Sequence, residues 1–295
     1  MQPTGTVPHV FSVDVEEYFH VNAFESFVSR EAWPAHASRV DASVDELLGL
    51  LARHDARGTF FVLGWLAARN PALVRRIAAA GHEIASHGWW HRRVVTLSPD
   101  AFREDVRASK EMLESITGEP VLGYRAPSFS ILPGMDWAFD VLIEEGYRYD
   151  SSRFPIQRAG YGSPDAPTDP HHIERPAGTI LELPMTVTSV LGRNVPASGG
   201  GWLRHLPLAV TRRAFREYSA RRVPAMLYIH PWELDVDQPR LPVPPVTRVR
   251  HYGGLARTRP RLGRMLQEFR FTTARDAHAA MLSPVTENAA LSALR

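Results

Sequence analysis

Short apolar strands that alternate with capped helices set the tightest limit on how this chain can fold. Val10-Phe11-Ser12-Val13 reads as a buried strand and Thr59-Phe60-Phe61-Val62-Leu63 as the next. Between them, Ser43-Val44-Asp45-Glu46 has capping-box spacing, and Val44, Leu47, Leu48 and Leu51 recur at helical intervals. Asn70-Pro71 and Ser98-Pro99 each place an N-cap before a first-turn proline, and Gly81 and Gly118 close those helices. A strand leads into His87, others cover 121–124, 180–183 and 225–229, and Tyr147-Arg148-Tyr149 leads to Asp150. Helices are expected over 135–145 and 208–220, with a helix, a short strand and a last helix after residue 260. Residues 151–178 are rich in Pro, Gly and His without a period and read as a long excursion. This order implies an α/β fold of parallel strands with helical crossovers, and seven or eight strand candidates suit a closed or nearly closed barrel. No internal repeat or linker divides it.

Composition removes several classes of function. A formal charge of +2 gives no general attraction to nucleic acid. Six arginines among the seventeen residues 248–264 read as a solvated face. With no cysteine, disulfides and thiolate chemistry are excluded, and any metal must rest on His and carboxylate. The start has no basic and apolar leader pattern, and no apolar run reaches the length of a membrane span. The expectation is a cytoplasmic protein, with peripheral contact to a membrane left open.

Chemistry collects at strand ends. His82-Glu83-Ile84-Ala85-Ser86-His87-Gly88-Trp89-Trp90-His91 places two histidines four apart after a strand. Alone, that spacing fits a surface pair as well as a metal site. Asp14, Glu16, His87, His91, Arg125, Asp150 and His230, however, all stand just beyond the C-terminal end of a strand candidate. In a barrel those ends share one mouth. Packing does not account for so many titratable groups there, because burying charge is costly without partners.

Five segments, taken in order, resemble the motifs of metal-dependent polysaccharide deacetylases, a group of carbohydrate esterases. They are Ser12-Val13-Asp14-Val15-Glu16, Ser86-His87 through His91, Arg125-Ala126-Pro127, Tyr149-Asp150-Ser151-Ser152 and Tyr228-Ile229-His230-Pro231-Trp232. Further, Gly199-Gly200-Gly201-Trp202, His230-Pro231-Trp232-Glu233 and Arg250-His251-Tyr252 are similar to a bacterial subgroup associated with exopolysaccharide and exosortase loci. The resemblance implies a deformed (β/α)7 barrel over 1–283, including a family-type C-terminal part from about 234 to 283; by its position at the chain end, 284–295 is expected to be a frayed tail. It also implies hydrolysis of N-acetyl groups on a glycan.

Residue by residue, it implies Glu16, His87 and His91 as ligands of a divalent metal, zinc by ligand type, with Co, Ni or Mn also fitting. Asp14 would be the general base, Arg125 its partner, and His230 the acid, with Asp150 as the carboxylate that keeps His230 cationic. The Ser128 backbone N–H would face the oxyanion, and Trp89, Trp90 and Trp232 would stack on sugar rings. The family's first motif has adjacent aspartates, whereas this chain has Asp14-Val15-Glu16-Glu17. Residues 14 and 16 share a strand face, so Glu16 is the expected third ligand and Glu17 the alternative. Two other readings stand beside this one. They are a metal-free amidohydrolase acting on a small cyclic amide, and a catalytically silent carbohydrate-binding protein on the same scaffold.

Overall fold

The computed structural model describes residues 7–158 and 160–282, so the tail expected at 284–295 and the start of the chain lie outside the described residues. Among the described residues the strands are β1 His9–Val15, β2 Thr59–Val62, β3 Glu83–Ser86, β4 Gly123–Tyr124, β5 Tyr149–Asp150, β6 His171–Arg175, β7 Gly178–Glu182, β8 Val187–Val190, β9 Arg193–Pro196, β10 Met226–Ile229 and β11 Phe271–Thr272. The helices used below are α1 Val40–Arg53, α2 Gly64–Arg69, α3 Pro71–Ala79, α4 Pro99–Thr117, α5 Trp137–Glu144, α6 Gly200–His205, α7 Leu208–Ala220, α8 Pro245–Tyr252, α9 Thr258–Glu268 and α10 Ala274–Leu282.

Seven strands form one parallel sheet in the order β10-β1-β2-β3-β4-β5-β7, with β6 antiparallel on β7 and β11 beside β1. Among the described residues no ladder joins β7 to β10, so the expected barrel lacks backbone closure there. Side chains flanking the β8–β9 hairpin bridge the gap. Met226 N donates to Thr186 Oγ1 at 2.6 Å, and Ser198 Oγ donates to the Met226 carbonyl at 2.6 Å.

The period of two along each strand divides the apolar residues into two layers. Phe11, Val13, Phe60, Val62, Ile84, Leu227 and Ile229 pack outward among the helices. Val10, Phe61, Ala85, Tyr149, Leu181, Met226 and Tyr228 fill the interior. Helix α10 closes the bottom, where Ala274 N donates to Thr59 Oγ1 and Arg275 N to Glu83 Oε2.

Two expected N-caps are present: Asn70 Oδ1 accepts from Leu73 N at 3.1 Å, and Ser98 Oγ from Ala101 N at 3.2 Å. The capping box at Ser43 is not. Helix α1 begins three residues earlier at Val40, and Ser43 is buried inside it. The orphan N–H groups of that first turn are taken by Glu17, whose carboxylate accepts from Arg39 N at 3.0 Å, from Val40 N at 3.4 Å and from the Ser38 hydroxyl. Part of the expected excursion over 151–178 is ordered as β6, hairpinned onto β7.

Candidate active site

At the end of β1, Ser12 and Asp14 face the interior, and Glu16 follows one pleat later; all three are at most 3% exposed. The β3 strand delivers His87 into a turn shaped by Asp105 on α4. Its carboxylate accepts from Trp89 N at 2.7 Å and Trp90 N at 3.4 Å. Gly88 has φ +73°, and a Cβ there would lie 2.6 Å from Asp105 Oδ2, so the turn requires glycine. His91 then takes a left-handed backbone, φ +51°, and its ring returns toward His87 at 5.4 Å between centroids.

One ligand atom each from Glu16, His87 and His91 falls within a mutual 4.8 Å, and all three residues are buried. The donor set suits a divalent ion. His87 Nδ1–H donates to the Arg125 carbonyl at 2.8 Å, which leaves the Nε2 lone pair for a ligand. Glu16 Oε2 is buried without a hydrogen-bond partner and lies 2.8 Å from His91 Nε2. Burial alone would raise the Glu16 carboxyl, but His91, His230 and His87 around it hold it well below the usual carboxylate range. Burial brings His87 down to about 4, so it is a neutral imidazole at pH 7. This buried Glu/His/His group could therefore hold a metal. Glu17 is not part of it, because its carboxylate is spent on the α1 N-terminus.

Arg125, delivered by β4, is fully buried. Nη1 donates to Asp14 Oδ1 at 2.6 Å and Ser12 Oγ at 3.0 Å; Nε and Nη2 donate to the Ser151 carbonyl and hydroxyl. The guanidinium lies 4.1 Å from the centre of the Phe61 ring. Asp14 thus has one oxygen fixed on a cation, while Oδ2 lies 4.0 Å from His230 Nε2. Beyond Arg125, Ser128 and Phe129 both take left-handed backbone, φ +54° and +52°. Strain of this kind in non-glycine residues costs energy and collects at functional sites.

Two expected roles are corrected. Asp150 does not pair with His230. It is buried at the end of β5, where it accepts from Ser152 N at 2.9 Å and Ser152 Oγ at 2.7 Å, and it is the register partner of Glu182 on β7. The carboxylate on His230 is Glu233: Nδ1 donates to Glu233 Oε1 at 2.7 Å. Burial draws the His230 ring down, but Glu16, Glu233 and Asp14 outweigh it and push it up to about 9.

Trp232 does not offer a face to a sugar either. Its ring is stacked between His230 at 4.9 Å and His251 at 4.2 Å, and its Nε1–H donates to Glu16 Oε1 at 3.2 Å. Of the other two tryptophans, Trp89 lies against Gly64, where a Cβ would approach its ring to 2.5 Å. Trp90 is half-buried beside Trp33 at 6.3 Å, and its carbonyl accepts from Arg30 Nε.

Glu233, Arg204 and His251 were not assigned from sequence. A carboxylate three residues after a histidine in a Pro-Trp turn was a readable signal for Glu233. No local pattern points to Arg204.

The Asp150–Glu182 pair carries a pH prediction. Burial raises both carboxyls, and the neighbouring Asp150 charge pushes Glu182 further, well above its usual range. Glu182 therefore holds its proton in the folded state at pH values where the unfolded chain releases it. Its contribution to stability is full below the unfolded carboxyl range and is lost as pH rises toward the folded value. Unfolding free energy should fall with pH above 4.5 more steeply in wild type than in Glu182→Gln, by up to about 1.4 kcal/mol per pH unit. Urea titrations of both proteins between pH 5 and 8 check this; identical slopes would contradict it.

Known proteins resemble this chain over most of its length. A sequence model of the family described as polysaccharide deacetylase matches residues 37–138, and one described only as a domain of unknown function (DUF3473) matches 151–279. A peptidoglycan-N-acetylglucosamine deacetylase of Bacillus cereus is 33% identical over 35% of this chain and 46% of its own length. A chitooligosaccharide deacetylase of Rhizobium leguminosarum bv. trifolii is 36% identical over 24% of this chain and 33% of its own. The chain spans less than half the length of the curated relatives it matches. Among solved structures, a Mycobacterium smegmatis protein described as a polysaccharide deacetylase superposes with TM-score 0.63 at 22% identity, covering 95% of this chain and 92% of that one. The allantoinase PuuE superposes with TM-score 0.59 at 19% identity, covering 96% and 94%. These two likenesses establish the fold. Over residues 37–138 the chain is similar to the polysaccharide deacetylase family, and the two curated relatives named above are deacetylases.

Proposed function

We propose that this protein is a metal-dependent hydrolase that removes N-acetyl groups from a glycan, an exopolysaccharide or its lipid-linked precursor. The observation that carries the reading is one mouth holding a buried Glu/His/His group, a carboxylate locked on arginine, and a histidine on a second carboxylate. Glu16, His87 and His91 would hold the ion, which when bound supplies Lewis acidity toward water and an amide carbonyl. Asp14, oriented by Arg125, accepts the proton of the attacking water. The Ser128 N–H meets the developing oxyanion, and His230 Nε2–H protonates the departing nitrogen. Trp90, at the half-buried edge of the HGWWH turn, is the remaining candidate for contact with a sugar ring.

The deacetylase names of the relatives support the amide-hydrolysis chemistry, and the intact ligand set favours it over a silent binding protein. The test is acetate release by zinc-, cobalt-, nickel- and manganese-reconstituted protein on a panel of N-acetylated oligosaccharides. Metal-dependent acetate release supports the reading. Metal-independent turnover of a small cyclic amide, or glycan binding without acetate release, would overturn it.

A further inference from the structure

We infer that the region matched only as a domain of unknown function builds the proton-donating half of the site, with Arg204 and Glu233 positioning His230. The inference rests on the deacetylase reading above. Three separate segments of that region meet here. The turn after β10 supplies His230, Trp232 and Glu233, α6 supplies Arg204, and α8 supplies His251 and its own C-terminal carbonyls.

Glu233 is fully buried, and both its oxygens are used. Oε1 accepts from His230 Nδ1 at 2.7 Å and from His230 N at 3.1 Å, and Oε2 accepts from Arg204 Nε at 2.8 Å. Arg204, 2% exposed, also donates through Nη1 to the His251 and Gly253 carbonyls at 2.6 and 2.7 Å. Those carbonyls belong to the end of α8, where backbone oxygens lack helical partners and the helix dipole is negative. The guanidinium is therefore balanced by a carboxylate on one side and a helix terminus on the other, which makes its burial tolerable.

The arrangement fixes a tautomer. An ionised carboxylate only accepts, so His230 Nδ1 carries a hydrogen and Nε2 is the atom that faces Asp14 and Glu16 at 4.0 and 3.4 Å. Trp232, clamped between the His230 and His251 rings, fixes the plane of the imidazole. In the second step of hydrolysis the C–N bond of the tetrahedral adduct breaks. The bonding pair goes to nitrogen, nitrogen takes the Nε2 proton, and acetate and a free amine leave with His230 neutral. Arg204 touches no reacting atom; it acts through Glu233, as a positioning residue.

A leaving group that departs without a proton separates this role from a merely structural one. Metal-loaded wild type, Arg204→Met and the isosteric Glu233→Gln would be compared on an N-acetylated glycan oligomer and on 4-nitrophenyl acetate, whose phenolate needs no acid. Both variants should lose about a hundredfold or more in kcat on the amide with KM and bound metal near wild type, and lose far less on the ester. The amide-to-ester ratio should thus fall by about a hundredfold, and more in Arg204→Met than in Arg204→Lys, which keeps the charge but not the fork. Equal losses on amide and ester, or full amide activity in either variant, would overturn the inference. Wild type that releases no acetate from any glycan would instead sink the deacetylase reading itself, so the two failures are distinguishable.

Discussion

Replacing Asp14 with asparagine is expected to cut acetate release by about a hundred- to ten-thousand-fold while leaving the bound metal in place. Asparagine keeps an oxygen for Arg125 but cannot accept a proton from water. The contact it alters is a buried ion pair of 2.6 Å. Removing one partner of such a pair costs about 3–5 kcal/mol when the other is stranded. Arg125 would not be stranded, because Ser12, the Ser151 carbonyl and the Ser151 hydroxyl still accept from it. A lower Tm with intact metal stoichiometry and a collapsed kcat is the expected pattern. Activity within about threefold of wild type would remove Asp14 from the role of base.

The second large effect concerns His87. His87→Ala deletes one of three clustered donors and frees the Arg125 carbonyl that orients it. Metal content after dialysis should fall from about one ion per chain to near zero, and turnover to background. His230→Ala makes the matched control, since it should keep the ion and lose amide turnover. Elemental analysis with acetate assays on both proteins checks the pair of outcomes. Full activity in His87→Ala would contradict the ligand assignment.

The fold and the clustering of Glu16, His87 and His91 were largely legible because they depend on local patterns. Apolar strands punctuated by Gly, Asn-Pro and Ser-Pro give the β/α order, and the period of two places Asp14 and Glu16 on the same face. The residues misjudged are those whose partners come from elsewhere in the chain. Glu17 was an alternative ligand until the first turn of α1, some twenty residues on, claimed its carboxylate. Trp232 has the composition of a sugar platform, but His251 covers the face that His230 leaves free. Asp150 sits at a strand end like the others, yet its neighbours are Ser152 and Glu182, which turn it into part of a buried acid pair. How β7 meets β10 was likewise not readable, because it depends on single hydroxyls at Thr186 and Ser198 rather than on a strand pattern.

The ligand group itself remains the point on which the enzymatic reading turns. Anomalous diffraction from zinc-soaked crystals of the full chain measures it directly. One strong peak is expected within about 2.0–2.2 Å of a Glu16 oxygen and of a nitrogen from each of His87 and His91. A peak on other residues, or none at this group under saturating zinc, would contradict it.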